Sequence, residues 1–254
     1  MILLRRILPF CSAVLLLVLF EIVFSHQGAF WYLLPVLAAV VVFPVGVMFS
    51  WQGRHLVFWQ QLISPMLLVG SGLFLLLFLS EKIFSHALIV VLVLLFWWYA
   101  ENLFLYQFRN AHYQPYALEH ISLYMNLLSV FFLFSSLYAA RVFLNFSVVL
   151  LGGIAVVVSA LFAIQFSLGS KLPWGRSWPY LLVVAMVMLE LFMAIAMLPT
   201  TYFVAGILLA VPYYLMMNIA RHALRNTLRR SVLVRNIILG IIIFAVTFST
   251  APWT

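Results

Sequence analysis

Carboxylates and histidines most often carry acid–base or metal chemistry in proteins, and this chain has few of them. Its 254 residues include five acidic side chains, all of them glutamate, and six histidines. Segment 99–124 holds Glu101, His112, Glu119 and His120. These groups would suit an enzyme that uses general acid–base catalysis, but no spacing among them matches a known catalytic motif. The enzyme hypothesis therefore has the least support.

Glu190 lies within a long apolar run, residues 181–198. A carboxylate at the centre of a bilayer costs about 2.5–3.5 kcal/mol, so we expect Glu190 to face the interior of a helix bundle. At a similar depth in the next span we expect Pro212 to break its helix and free a backbone carbonyl. Together with Tyr213 and Tyr214, this arrangement predicts a substrate or proton site. The alternative is a structural hydrogen bond between two helices.

A polar stripe is predicted on the fifth apolar run. At 100° per residue, five polar side chains fall within an arc of about 100° on one face of a helix. They are Glu119, Ser122, Asn126, Ser129 and Ser136. In a membrane such a stripe faces other helices or a polar path, never lipid. Glu119 and Asn126 therefore join the candidate site, with ordinary helix packing as the alternative.

Two glutamate–histidine pairs, Glu21 with His26 and Glu81 with His86, raise the possibility of a metal site. Five residues on a helix correspond to about 140° around its axis, so one helix cannot easily present both side chains to one ion. We expect these pairs to anchor the helices at the interface, and we expect no metal and no cofactor. The surrounding segments, 15–26 and 75–86, share eight of 12 residues. This echo indicates either a parallel hairpin repeat, 1–60 and 61–117, or chance similarity.

The composition determines the class of protein. The chain is 67% hydrophobic and 7% charged, with a mean hydropathy of +1.22, whereas soluble domains carry about 25% charged residues. Apolar runs without alternating polarity must cross lipid as helices. We predict an all-α polytopic transmembrane helix bundle of about nine spans in one domain, 1–254. The spans are 7–25, 30–49, 62–79, 83–105, 118–140, 142–167, 181–198, 202–219 and 231–250.

The basic residues predict the orientation. With the N-terminus in the cytoplasm, eleven of the 13 basic residues fall on the inner side, and only Lys82 and Arg141 fall outside. The inner set is Arg5, Arg6, Arg54, Arg109, Lys171, Arg176, Arg221, Arg225, Arg229, Arg230 and Arg235. The C-terminus is then outside, in a multi-pass protein of the cell membrane. The net charge of +8 serves this orientation, so we expect no nucleic-acid partner.

Two groups of charges lie at predicted inner turns. Glu101 lies near a helix C-terminus, where the helix dipole disfavours an anion, so we expect it to pair with Arg109. A second group follows the eighth span: Arg221, Arg225, Arg229 and Arg230. These arginines would bind anionic lipid head groups or dock a partner, besides setting the topology.

The sequence leaves two leading hypotheses for function. A small transporter or permease-like protein is favoured by Glu190, Pro212 and the polar stripe. A non-catalytic membrane subunit or scaffold, with a membrane protein partner or as a homo-oligomer, is favoured by the short loops and sparse intramembrane charge.

Overall fold

The computed structural model describes residues 2–26, 28, 30–49, 56–169 and 174–250. Within these ranges the chain forms nine α-helices, and a 3₁₀ turn, Asn110–His112, follows the fourth of them. The helices are α1 (Ile2–Ser25), α2 (Phe30–Met48), α3 (Leu56–Leu76), α4 (Lys82–Phe108), α5 (Ala117–Leu144), α6 (Val148–Gly169), α7 (Trp174–Ile195), α8 (Tyr202–Leu224) and α9 (Arg230–Thr250). Each is long and apolar enough to cross a membrane, which confirms the nine spans.

Several helices extend beyond the predicted apolar runs. Helix α3 begins at Leu56 and α7 at Trp174, six and seven residues before the predicted starts. Backbone groups near lipid must be paired, so a helix continues through polar residues at its ends. Which side each terminus faces stays a prediction. Arg54 and Lys171, two of the predicted inner charges, lie outside the described residues.

The contacts between helices group the chain into two compact units, Met1–Ser129 and Val130–Thr254, where the sequence predicted one domain. In the first unit α1 packs against α4 and α2, and α3 packs against α2 and α4. In the second unit α7 packs against α6 and α8, and α9 packs against α8. Helix α5 contributes its first half to one unit and its second half to the other.

The two segments of the predicted repeat have different structures. Segment 15–26 lies almost wholly within α1, whereas segment 75–86 contains the end of α3, the turn and the start of α4. Glu21 is therefore inside a helix, while Glu81 is the N-cap residue of α4 with extended backbone. The first copy is thus one continuous helix, whereas a turn interrupts the second.

Helix α9 packs through a narrow polar edge. Asn218 of α8 donates a hydrogen bond to Asn236 of α9 over 3.0 Å, and both side chains are buried. A Cβ atom at Gly240 would lie 2.7 Å from a methyl group of Leu215, so a larger residue here would require the Leu215 side chain to move. Only 17% of the apolar window of α9 is buried, compared with 56% for α5. Most of α9 is therefore exposed.

Candidate functional site

A cavity of about 600 Å³ opens in the second unit, where α5 and α7 end and α8 begins. This Arg141 cavity is lined by Tyr138, Arg141, Val142, Phe143, Asn145, Ile195, Ala196, Met197, Leu198, Pro199, Thr200, Thr201, Tyr202 and Ala205. Its volume is within the usual range for small-molecule pockets. Arg141 is the one charged residue of this lining, and the rest is mainly apolar or hydroxylated.

Arg141 is held in place by the ends of two helices. It lies in the last turn of α5 and donates from Nη1 to the backbone carbonyl of Ala196, just beyond α7. One turn earlier, the Tyr138 hydroxyl donates to the Phe192 carbonyl over 2.9 Å, and the two rings stack with centroids 4.7 Å apart. Asn145 has a φ of 53°, the left-handed conformation that ends α5. Because α5 is fastened to α7 in this way, the cation has a defined position.

The opposite wall of the cavity is the start of α8. Thr201 is the N-cap residue of this helix, and its side chain makes no capping hydrogen bond. The first N–H groups of an α-helix have no intrahelical partner and carry partial positive charge. Arg141 and this helix start thus line the same cavity, which favours an anion. The sequence reasoning missed this site, because Arg141 is far from Thr201 in the chain and only the fold brings them together.

Glu190 does not face the interior of the bundle, so that prediction is wrong. It lies on the exposed side of α7, five residues before the helix ends at Ile195. It has no hydrogen bond or ion pair to any described residue. The buried side of α7 carries Met188 and Phe192 instead. These apolar side chains pack against the neighbouring helices, and Glu190 lies on the other side of α7.

The predicted helix break at Pro212 is also wrong, because α8 continues through this residue from Tyr202 to Leu224. A helix accommodates proline where neighbouring helices compensate for the lost backbone hydrogen bond. Tyr213 is 1% exposed and Tyr214 is half-buried. Neither is bonded to Glu190, so the residues of the predicted site are not brought together.

The polar stripe of α5 faces the interior, as predicted. Ser122, Asn126, Ser129 and Ser136 are buried, and Glu119 is half-buried. Ser129 and Ser136 donate to carbonyls four residues earlier in α5, over 2.6 and 2.7 Å. Because these hydroxyl groups donate their hydrogen bonds within α5, the stripe is better explained by helix packing than by the lining of a polar path.

Near the N-terminal end of this stripe is a polar cluster that the sequence did not indicate. The hydroxyl oxygen of Tyr99, on α4, lies 2.5 Å from both the backbone and side-chain oxygens of Gln61 on α3. Ser122 of α5 lies near the same hydroxyl group. Tyr99 is fully buried. The cluster therefore joins α3 to α4 by a hydrogen bond, next to the start of α5.

The charged residues of segment 99–124 form a surface hairpin. Helix α4 ends at Phe108 with Arg109 as its C-cap residue, and α5 begins at Ala117. Glu101 is half-buried and Arg109 is exposed, and they do not form the predicted ion pair. His112 and His120 are exposed. No catalytic arrangement follows from these positions.

One glutamate and one histidine of the two predicted pairs contact each other across helices. Glu21 Oε1 of α1 lies 3.0 Å from His86 Nδ1 of α4, rather than pairing with His26. Both side chains are more than one-third exposed, so the pair contributes little to stability. Across the described part of the chain, no group of three or more potential ligands is placed to hold a metal ion.

The arginine group lies at the turn between α8 and α9. Arg221 is in the last turn of α8, where the helix dipole stabilises a cation. Arg225 is the C-cap residue of this helix. Arg229 and Arg230 are exposed at the start of α9. Arg235 is exposed one turn further on, inside the span. The predicted basic turn is thus present, while its binding of lipid stays a prediction.

Residues 48–250 match the family described as Protein of unknown function (DUF5656). The chain belongs to this family. No curated protein and no solved structure matches it. The matched region includes helices α3–α9, and thus the Arg141 cavity, Glu190 and the basic turn; it leaves out α1 with Glu21. Family membership therefore covers the candidate sites without assigning them an activity.

Proposed function

We propose that this protein is a non-catalytic membrane subunit that assembles through an exposed face of α7, with a second copy of the chain as its partner. The observation that carries this proposal is the exposure of Glu190, an acidic side chain on a helix that is long and apolar enough to span a membrane. In a single copy surrounded by lipid, this group would be costly.

The position of Glu190 explains why it needs a partner. Side chains on a helix tilt toward its N-terminus. Glu190 is about 7.5 Å from the C-terminal end of α7, so its side chain leads away from the nearer surface. Arg235 is equally far from the N-terminal end of α9, and its side chain leads toward that end. Arg235 can therefore snorkel to water, whereas Glu190 cannot do so easily.

The face around Glu190 has the spacing of a helix–helix interface. Exposed residues follow each other at intervals of four and three along α7. This α7 seam consists of Pro179, Val183, Met186, Glu190 and Met193. Such a spacing is that of the contact positions of two helices that pack side by side. Flexible methionine side chains adapt readily to an opposing surface.

A second copy suits this seam for reasons of symmetry. Two-fold dimers are the commonest oligomers, and the axis places the same residue of both copies at the same depth. A neutral carboxyl group both donates and accepts a hydrogen bond, so two Glu190 side chains can satisfy each other. No complementary residue on another protein is then required.

Cross-linking tests this assembly. In a Cys11→Ser background, Met186→Cys should form a disulfide-linked dimer on mild oxidation in native membranes, since cysteines join only when their Cα atoms are within about 7 Å. Val157→Cys, exposed near the middle of α6, is the matched control and should not cross-link. If both variants stay monomeric, or both cross-link equally, the α7 dimer is excluded.

A permease-like transporter is the second candidate, and the Arg141 cavity favours it. Transport by alternating access requires this cavity to open to both sides of the membrane in turn. In the Cys11→Ser background, Thr201→Cys should then react with an impermeant maleimide from either side of proteoliposomes. Labelling from one side alone would argue against transport through this cavity.

A further inference from the structure

We propose that the Arg141 cavity binds the oxyanion head group of an amphiphile, such as a phosphate ester that carries a hydrocarbon chain. The cavity lies outside the α7 seam and does not depend on the proposed dimer. The lining of the cavity separates into a cationic part and an apolar part.

The cationic part is the guanidinium group of Arg141. Arginine has five N–H donors in a planar fork that matches carboxylate and phosphate oxygens. The bond to the Ala196 carbonyl uses Nη1. Donors on the other nitrogens remain for a ligand. Arg141 is half-buried, so its bonds to an anion would be partly shielded from water.

Hydroxyl groups extend the polar part of the cavity. Thr200 and Thr201 are among its lining residues, and both are half-buried. Because the Thr201 side chain makes no capping bond to α8, it is available to a ligand. None of the lining residues is acidic, so no internal carboxylate competes for the arginine.

The apolar part explains why an amphiphile fits better than a small anion. Val142, Phe143 and Met197 line the cavity and are 60%, 57% and 87% exposed. Leu198 is also exposed, at 39%. These side chains lie at the end of α5 or just beyond the end of α7. At such helix ends the lipid chains of a membrane meet their head groups. A ligand with an apolar chain would cover them, whereas an inorganic ion would not.

Binding is tested with the full-length chain in a neutral detergent by native mass spectrometry. The probes are short-chain phosphatidate and glycerol 3-phosphate, which share a phosphate monoester but differ in their hydrocarbon chains. We expect saturable binding of phosphatidate, about tenfold or more tighter than that of glycerol 3-phosphate, because each buried methylene adds to the affinity. Equal affinities would overturn the role of the apolar wall, and no saturable binding of either probe would overturn the site.

Three variants connect binding to the cavity. Arg141→Gln removes the cation and should weaken phosphatidate binding by about tenfold or more. Thr201→Asp places a carboxylate in the cavity that Arg141 lines and should weaken binding similarly, while aspartate, a good N-cap residue, preserves the helix. Thr201→Asn is the matched control, because it has nearly the same shape and capping ability without the charge. It should bind phosphatidate more tightly than Thr201→Asp does, by about tenfold or more.

The threonine pair keeps the test decisive if Arg141→Gln does not fold. Circular dichroism and size-exclusion chromatography identify the folded variants. Loss of binding in Thr201→Asp with retention in Thr201→Asn supports an anion at this cavity. Unchanged binding in Thr201→Asp, or in a folded Arg141→Gln variant, places the lipid elsewhere and refutes the proposal.

Discussion

Replacing Glu190 by leucine should weaken self-association of the chain without unfolding α7. Leucine is a strong helix former and matches the apolar residues of the α7 seam. The loss comes from hydrogen bonds between two carboxyl groups across the dimer axis. Interhelical hydrogen bonds in membranes contribute about 0.6 kcal/mol each on average. Because the two-fold axis generates a second, identical hydrogen bond, Glu190→Leu removes two of them, or about 1.2 kcal/mol. This loss corresponds to about a sevenfold rise in the dimer Kd.

Two control variants separate this effect from a general change of charge. Glu190→Gln keeps a donor and an acceptor, so its dimer Kd should stay within about twofold of the wild-type value. Arg235→Gln removes an exposed charge from α9 at the same distance from a helix end. Because Arg235 reaches its own surface, this change should leave the dimer Kd unaltered.

Energy transfer between labelled copies in liposomes, at increasing lipid-to-protein ratios, measures the dimer Kd. We expect the wild type, Glu190→Gln and Arg235→Gln to dimerise with similar affinity. Glu190→Leu should dimerise more weakly than these three. If Glu190→Leu associates as tightly as the wild type, the carboxyl group has no role in assembly. If all four proteins stay monomeric at every ratio, the dimer itself is refuted.

Three further predictions concern the packing of helices and are measured as thermal stability in detergent. Gly206→Ala should destabilise the chain by about 1–3 kcal/mol, because the new Cβ atom would clash with Ser135, whose backbone nitrogen is 3.1 Å away; unchanged stability would contradict this contact. Asn218→Ala should cost about 0.6–1.7 kcal/mol by leaving Asn236 without its donor, and Asn218→Ala/Asn236→Ala should recover part of the loss. Tyr99→Phe should cost about 1 kcal/mol, since it removes a buried hydroxyl group and keeps the ring.

The sequence predicts the helices of this protein well because the membrane imposes a simple rule. An apolar run long enough to cross lipid must pair its backbone within itself, so nine runs give nine helices in the described chain. The hairpin around Arg109 follows from the same rule, as does the basic turn at Arg229. Helix ends are less predictable, because polar residues such as Gln61 continue a helix beyond its apolar part.

The side of a helix that faces the protein interior can be predicted only where several polar residues lie on one face. Four buried members of the α5 stripe, among them Asn126, specify one side of the helix. Glu190 stands alone among apolar residues, and the sequence does not show which side of α7 meets a neighbour. Pro212 likewise suggests a break that the packed helix does not make. The Arg141 cavity was missed because its walls come from two segments, 138–145 and 195–205, that are far apart in the chain.

The two halves of helix α5 meet their partners at different times during synthesis of the chain. The hydrogen-bond partner of Tyr99 is Gln61, which is earlier in the sequence. This partner has therefore already been synthesised when α4 leaves the ribosome. Tyr138 and Arg141 depend on carbonyls 54 and 55 residues further on. During synthesis the first half of α5 can complete its unit at once, whereas the second half must wait for α7. A guanidinium group thus remains uncommitted at the membrane for the time that the ribosome needs to make two more helices.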